Sequence, residues 1–298
     1  MGDVKKICYY VNGEFKESKS GEYRDAFDPS TGRVIAKVPC CTKEEVEEAI
    51  ASAKAAFPAW SSTPVLKRVQ ILYRLRDLLI EHMDELTHLV ALENGKAWEE
   101  AKGDVLKAKE GTEQAISAPS LMMGESMMDA SLGYDTVLYR EPLGVFAGIV
   151  PFNFPAMIPM GWMTPMCIAC GNTIVLKAAS FTPQSCMRIA KLYKEAGLPD
   201  GVINIVTCSR HEAELFLEHP DIKGITFVGS TSVGMHIYST AAAHGKRVQA
   251  LCEAKNHALV LDDAPVKRVA AGIINSAFGC AGERCMAPVS YTHLTLPT

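Results

Sequence analysis

The sequence predicts an α/β chain built on a doubly wound parallel sheet, and three observations predict it. From Val145 onward, short runs of β-branched residues alternate with stretches of helical period. Gly, Pro, Asn or Ser stands at nearly every junction between them. The spacing suits repeated strand–helix–strand units, which form a parallel sheet with helices on both faces. In order, the pattern gives a strand over 145–150, a helix over 156–169, a strand over 173–177, and a helix over 183–196 ended by Gly197. A strand over 202–206, a helix over 211–218, a strand over 222–228, a helix over 232–243 and a strand over 248–252 follow. Ligands of such sheets bind beyond the carboxyl ends of the strands.

The residues before this core read differently. Short strands over 8–11 and 34–38 stand beside the turn residues Asn12-Gly13 and Pro29-Ser30-Thr31-Gly32. Thr42 caps a helix with Glu45 three residues on, and Thr63-Pro64 starts another. In that second helix Val65, Val69, Leu72, Leu75 and Leu79 make one apolar stripe. The Glu/Lys-rich stretch 93–113 reads as a third helix with a solvated face, and 135–141 as an extended segment.

Composition narrows the function. The 298 residues are 48% apolar and 21% charged, which is ordinary for a globular chain of about two domains. Thirty basic and thirty-four acidic side chains give a net charge of -4, so nothing electrostatic favours nucleic acid or an anionic membrane. A small-molecule partner fits better. The ten cysteines are sparse for this length and sit mostly in apolar runs, as reduced core cysteines do. Cys167 and Cys170 have metal-site spacing, but no second ligand pair follows, and no metal is assigned. The apolar run 143–176 is broken by four prolines and is not read as a membrane span. With no apolar leader after Met1-Gly2-Asp3, the expected location is the cytoplasm.

Four segments carry chemistry. Phe278-Gly279-Cys280-Ala281-Gly282-Glu283-Arg284-Cys285 presents a thiol directly after an arginine, whose guanidinium would favour the thiolate. Cys285 is therefore a candidate nucleophile, or else a small packed side chain. Pro151-Phe152-Asn153-Phe154-Pro155 holds one amide at a strand end, either as an oxyanion donor or as a turn asparagine bonded to its own backbone. Gly229-Ser230-Thr231-Ser232-Val233-Gly234 runs from a strand into a helix, as a pyrophosphate cradle or a plain cap. Lys177 ends its strand, placed to reach ribose or phosphate, or to snorkel into solvent.

Taken in this order, the Asn of Pro-x-Asn-Phe-Pro, the strand-end Lys, the Gly-Ser-Thr-x-x-Gly turn and the Gly-x-x-Cys segment resemble the aldehyde dehydrogenase superfamily over residues 8 to about 288. Ser120-Leu121-Met122-Met123-Gly124, Ala254-Lys255-Asn256-His257 and Gly282-Glu283-Arg284-Cys285-Met286-Ala287 resemble its CoA-acylating methylmalonate-semialdehyde dehydrogenases. The resemblance implies that Cys285 attacks an aldehyde and that Asn153 and the Cys285 N–H hold the oxyanion. Hydride would pass to NAD, leaving a thioester on Cys285. Val150, Phe152, Lys177, Ser180, Phe181, Ser230 and Cys252 would contact NAD. Ser180 stands where relatives often carry Glu, which weakens a preference for NAD over NADP. Arg284 would anchor the carboxylate of a small semialdehyde substrate, with Lys107 at the position of a second arginine.

Hydrolytic members carry a glutamate four residues before the lysine of Glu-Leu-Gly-Gly-Lys. The matching segment here is Leu251-Cys252-Glu253-Ala254-Lys255, and an apolar side chain cannot act as a base. The acyl group would then leave by attack of coenzyme A, giving propanoyl-CoA or acetyl-CoA with decarboxylation. A hydrolytic dehydrogenase and an inactive nucleotide-binding fragment are the alternatives, and the chain as given is expected to show little or no turnover. By the same resemblance, 1–128 and 145–251 form the NAD-binding domain, 129–144 an arm used in a homo-oligomer, a tetramer, and 252–288 the truncated start of a catalytic domain. Residues 289–298 read as a non-family tail that does not form a strand, and His293 is given no role.

Overall fold

A computed structural model describes residues 4–293, with side chains through Val289. The chain opens with β1 (Lys5–Lys6), β2 (Tyr9–Val11), β3 (Glu14–Lys16), β4 (Tyr23–Asp28) and β5 (Arg33–Pro39). Strands β1, β5 and β4 form a small separate sheet, while β2 and β3 join the main one. The helical region follows as α1 (Lys43–Ser61), α2 (Val65–Glu81), α3 (Met83–Asn94), α4 (Trp98–Ile116) and the short α5 (Ala118–Leu121).

The start of α1 is as the sequence predicts: Thr42 Oγ1 accepts from the Glu45 N–H and Glu45 returns the bond to the Thr42 N–H. In α2 the predicted stripe is buried at Val69, Leu72, Leu75 and Leu79. The single helix expected over 93–113 is instead two. Gly95 adopts φ +77°, which stops α3 in a left-handed cap, and α4 restarts three residues later. That break has a functional consequence, because it turns Asn94 and Lys96 inward.

Then come β6 (Ser126–Ser131) and β7 (Tyr134–Val137), a hairpin with every residue exposed. The core follows as β8 (Val145–Ile149), a π-helix over Ile158–Met163, α6 (Thr164–Ala169), β9 (Thr173–Lys177), α7 (Gln184–Glu195), β10 (Ile203–Val206) and α8 (Arg210–Glu218). It continues as β11 (Ile222–Val228), α9 (Thr231–Ala243), β12 (Arg247–Leu251), β13 (His257–Val260), α10 (Val266–Phe278) and β14 (Ser290–His293). The helix expected over 156–169 thus begins as a π-turn. Pro159 and Pro165 remove two donors, and the Thr164 hydroxyl takes up the Pro159 carbonyl at 2.6 Å.

The main sheet has seven strands in the order β12-β11-β8-β9-β10-β2-β3. The five from β12 to β10 are parallel, and β2 adds antiparallel at β10. Alternate residues serve opposite cores. Ile174 and Leu176 of β9 enter the core formed with α2, α4, α6 and α7, while Val175 enters the core formed with α1 and α8. Such two-sided burial explains why these strands read as apolar runs. Among the described residues no helix is long and apolar enough to cross a membrane.

Ser290–His293 pairs in parallel with His257–Val260, whereas the sequence reading expected no strand there. Four residues of backbone suffice for that ladder, and the polar side chains hid it. Residues 1–3 and the rest of the tail, 294–298, lie outside the described residues.

Candidate active site

The register of the parallel strands brings most candidate residues to one edge. Ile149 pairs with Lys177, Phe227 with Ile149, and Val228 with Leu251. Val150, Lys177, the Gly229-Ser230-Thr231 turn and Cys252 therefore all emerge at the carboxyl edge of the sheet, where α/β sheets bind ligands. Val150 is buried and its N–H reaches the Lys177 carbonyl at 3.3 Å. Lys177 lines a cleft of about 220 Å³ walled by Ala213 and Leu217 of α8 and by Val233 and Ile237 of α9.

Ser230 stands at the N-cap of α9 but makes no side-chain capping bond, so its hydroxyl and the first N–H groups of the helix face the edge together. Cys252 is exposed, with its sulfur against Gly234 of α9. Glu253 turns to the same helix start and accepts from the Thr231 hydroxyl at 3.1 Å.

Phe152 and Phe181 meet edge to face, ring centroids 5.9 Å apart. Both are partly exposed and, with Asn94, Thr182 and Glu283, line a hollow of about 290 Å³; Ser180 lies just before it. The Phe152 carbonyl is held by the Thr182 hydroxyl at 3.1 Å and by Asn94 Nδ2 at 3.3 Å.

Asn153 is the link to the nucleophile segment. Its Nδ2 donates to the Glu283 carbonyl at 2.6 Å, two residues before Cys285. It is not a turn asparagine bonded to its own loop. An amide nitrogen carries two hydrogens, and this bond uses one. Cys285 is exposed and its carbonyl accepts from Asn256 Nδ2 at 2.9 Å, which also reaches the Ala287 carbonyl at 3.1 Å. The segment is thus held by Asn153 from one side and by the start of β13 from the other.

Arg284 does something the sequence did not suggest. Its guanidinium donates to the sulfur of buried Cys280 at 3.4 Å, so one of its donors is committed to the loop. Cys280 and Ala281 both have φ near +56°, a left-handed conformation that non-glycine residues adopt at a cost. Glu100 of α4 helps to hold it, accepting from the Cys280 N–H at 2.7 Å. Lys107, proposed as a second carboxylate anchor, instead pairs with Glu110 at 2.6 Å on the exposed side of α4, the solvated-lysine alternative.

Sequence reasoning missed the residues behind this edge. Lys96 Nζ, buried, donates to Asp104 Oδ2 at 3.0 Å and to the Asn153 carbonyl at 2.6 Å, and lies 3.7 Å from the Phe154 ring centroid. Asp104 Oδ1 accepts from the Met157 N–H at 2.8 Å. Burial raises the Asp104 carboxyl above its ordinary range, and Lys96 opposes that shift. Asn94 bridges the Phe152 carbonyl and Glu283 Oε2, the latter at 3.1 Å. The available signal was Asn94-Gly95-Lys96, a turn that breaks a helix between two polar residues.

The model of the aldehyde dehydrogenase family matches residues 15–291. The chain is 51% identical over 284 residues to malonate-semialdehyde dehydrogenase 2 of Geobacillus kaustophilus, covering 95% of this chain and 58% of that one. It superposes with a TM-score of 0.94 on a methylmalonate-semialdehyde dehydrogenase of Oceanimonas doudoroffii, 40% identical, covering 98% of this chain and 59% of the other. A protein of Sinorhizobium meliloti 1021 described as a methylmalonate-semialdehyde dehydrogenase, solved with NAD, gives 0.95 at 37% identity over 99% of this chain and 60% of its own. The chain thus spans about 58% of the length of the curated relatives it matches. By sequence and by fold, the chain belongs to the aldehyde dehydrogenase family.

Proposed function

We propose that this edge serves the NAD-dependent oxidation of malonate or methylmalonate semialdehyde, with loss of carbon dioxide and transfer of the acyl group to coenzyme A. The observation that carries the reading is the Asn153–Glu283 bond, which sets a half-buried amide beside the segment of an exposed thiol. The Cys285 sulfur adds to the aldehyde carbon, and the carbonyl oxygen takes up negative charge. The free N–H of Asn153 and the Cys285 backbone N–H hold that oxygen. Loss of hydride from the carbon leaves a thioester on Cys285.

NAD supplies the hydride acceptor when bound, and the residues present fit it. The uncapped start of α9 with Ser230 suits a pyrophosphate, and the cleft between α8 and α9 beside Lys177 suits the adenosine. Val150, Phe152, Ser180, Phe181 and Cys252 belong to the same proposed surface. Arg284 keeps donors beyond the one on Cys280 and remains the proposed carboxylate anchor.

Leu251 supports coenzyme A rather than water as the acyl acceptor. It ends β12 as an apolar, partly exposed side chain, and Glu253, the nearest carboxylate in sequence, is turned to Thr231. We assign 1–128 and 145–251 to NAD binding, 252–288 to the catalytic domain, and the exposed hairpin β6–β7 to an arm of a homo-oligomer. The test supplies malonate semialdehyde and NAD with and without coenzyme A. NADH and acetyl-CoA should form together only with coenzyme A, and free acid formed at full rate without it would favour the hydrolytic enzyme.

A further inference from the structure

Lys96 and Asp104 form an ion pair whose side chains are wholly buried, with 0% exposure on both partners. A buried pair of this kind contributes little net stability, because desolvating both charges offsets their attraction. Its arrangement is more informative than its charge. The three ammonium hydrogens of Lys96 face Asp104 Oδ2, the Asn153 carbonyl and the ring of Phe154. The carboxylate of Asp104 answers Lys96 with one oxygen and the Met157 N–H with the other.

Both arms of the pair therefore end on the backbone of one segment, at residues 153 and 157. That segment follows β8 and carries the Asn153 side chain, whose Oδ1 is buried without a hydrogen-bond partner among the described residues. The Glu283 bond fixes one group of this amide and leaves the other unbonded. The rest of its aim is set by the backbone from which it springs.

We propose that Lys96, anchored by Asp104, is a positioning residue that fixes the Asn153 backbone and so aims the Asn153 amide at the oxygen of the reacting carbonyl. The inference rests on the proposed oxyanion role of Asn153. A misplacement of about 1 Å in such a donor lowers the rate on the order of 100-fold.

The test compares two reactions of the Cys285 thiol in the full chain, each read by peptide mass. With p-nitrophenyl acetate, the sulfur forms a bond to the acyl carbon, the ester C–O bond breaks, p-nitrophenolate leaves with the electron pair, and the thiol proton goes to water. That path develops an oxyanion. With iodoacetamide, an S–C bond forms and iodide leaves, and no oxyanion develops. Neither reaction needs NAD or coenzyme A.

Lys96→Met alone strands a buried carboxylate, so the main variant is the double change Lys96→Met/Asp104→Asn. It removes both charges and keeps an amide oxygen for the Met157 N–H. Asp104→Asn alone is the second variant. We expect ester acylation at Cys285 to fall on the order of 10- to 100-fold in the double variant, with alkylation unchanged and thermal unfolding still cooperative. Asp104→Asn should fall between it and the parent.

Unchanged acylation in the double variant, with Asn153→Ala slowed, would overturn the positioning role while leaving the oxyanion reading intact. Acylation and alkylation falling together would also overturn it, showing a general loss of the loop. If Asn153→Ala acylates as fast as the parent, the oxyanion reading itself fails and the inference falls with it.

Discussion

Asn153 and Glu283, 130 positions apart, meet through a 2.6 Å hydrogen bond from the Asn153 amide to the Glu283 carbonyl. The bond joins a strand end of the main sheet to the segment that carries Cys285. It means that the proposed oxyanion donor and the proposed nucleophile are placed by the same contact. Replacing Asn153 with Ala should lower NADH formation by about 100- to 1,000-fold, the usual cost of removing one oxyanion donor. Asp at this position should fare no better, since it cannot donate when ionised. Steady-state NADH absorbance measures both.

Thiol exposure predicts a labelling order. Cys252 and Cys285 are exposed, whereas Cys41, Cys186, Cys208 and Cys280 are buried, and burial pushes the thiols of Cys41 and Cys208 up to about 12. Limited iodoacetamide treatment of the native chain should label Cys252 and Cys285 first, and the buried four only after unfolding. Peptide mass spectrometry gives the order.

Glu93 predicts a pH dependence of stability. Its carboxylate is fully buried and accepts from the Gln184 N–H at 2.7 Å, the Ser185 N–H at 2.9 Å and the Ser185 hydroxyl. Those bonds favour the ionised form, but burial outweighs them, and nearby Asp104 adds to the effect. The carboxyl is pushed up to about 7. A group whose folded value lies above its unfolded one binds its proton more tightly when folded. Its contribution is complete below the unfolded range near 4.5 and is lost as pH rises to about 7. The amount is about 3 kcal/mol. Denaturant unfolding at pH values across this window should show that fall in the parent chain, and Glu93→Gln should remove it.

Close helix packing behind the site predicts a steric cost. A β-carbon on Gly111 of α4 would strike the Gly161 carbonyl of the π-helix, and one on Gly161 would lie 2.5 Å from the Ala108 Cα. Gly111→Ala should therefore destabilise the chain by about 1–3 kcal/mol despite alanine's better helix propensity. It should also slow ester acylation at Cys285, because α4 carries Asp104 and Glu100. Thermal melts and the acylation assay test the two parts separately.

Leu251 predicts a change of product. Leu251→Glu places a carboxylate at the position proposed to favour coenzyme A over water. Free acid should then rise at the expense of acyl-CoA at fixed coenzyme A, as measured by the ratio of the two products.

Strands β9 and β11 were legible residue for residue, because a strand buried on both faces writes itself as a bounded β-branched run. The edge location of Lys177 and Ser230 followed from that pattern. What lay behind the edge did not. Asp104 sits in a Glu/Lys-rich stretch that reads as solvent-facing, and nothing local distinguishes it from its neighbours. Its burial depends on Lys96 arriving from across the Gly95 break, and on a segment 53 positions away that offers the Met157 N–H. The Arg284–Cys280 contact was illegible for a related reason: adjacency to Cys285 in sequence says nothing of the turn at Cys280 and Ala281, which brings one guanidinium donor to the Cys280 sulfur.

The pairing of Val228 with Leu251 and of Ile149 with Lys177 fixes the last rungs of two ladders with backbone atoms alone. Side chains at and just past those rungs are free of the ladder's demands. Exchanging one of them leaves the scaffold standing, so the residues at this edge can change without a change of fold. The frame supplies the address and the outermost residues supply the message, and the two can evolve at separate speeds.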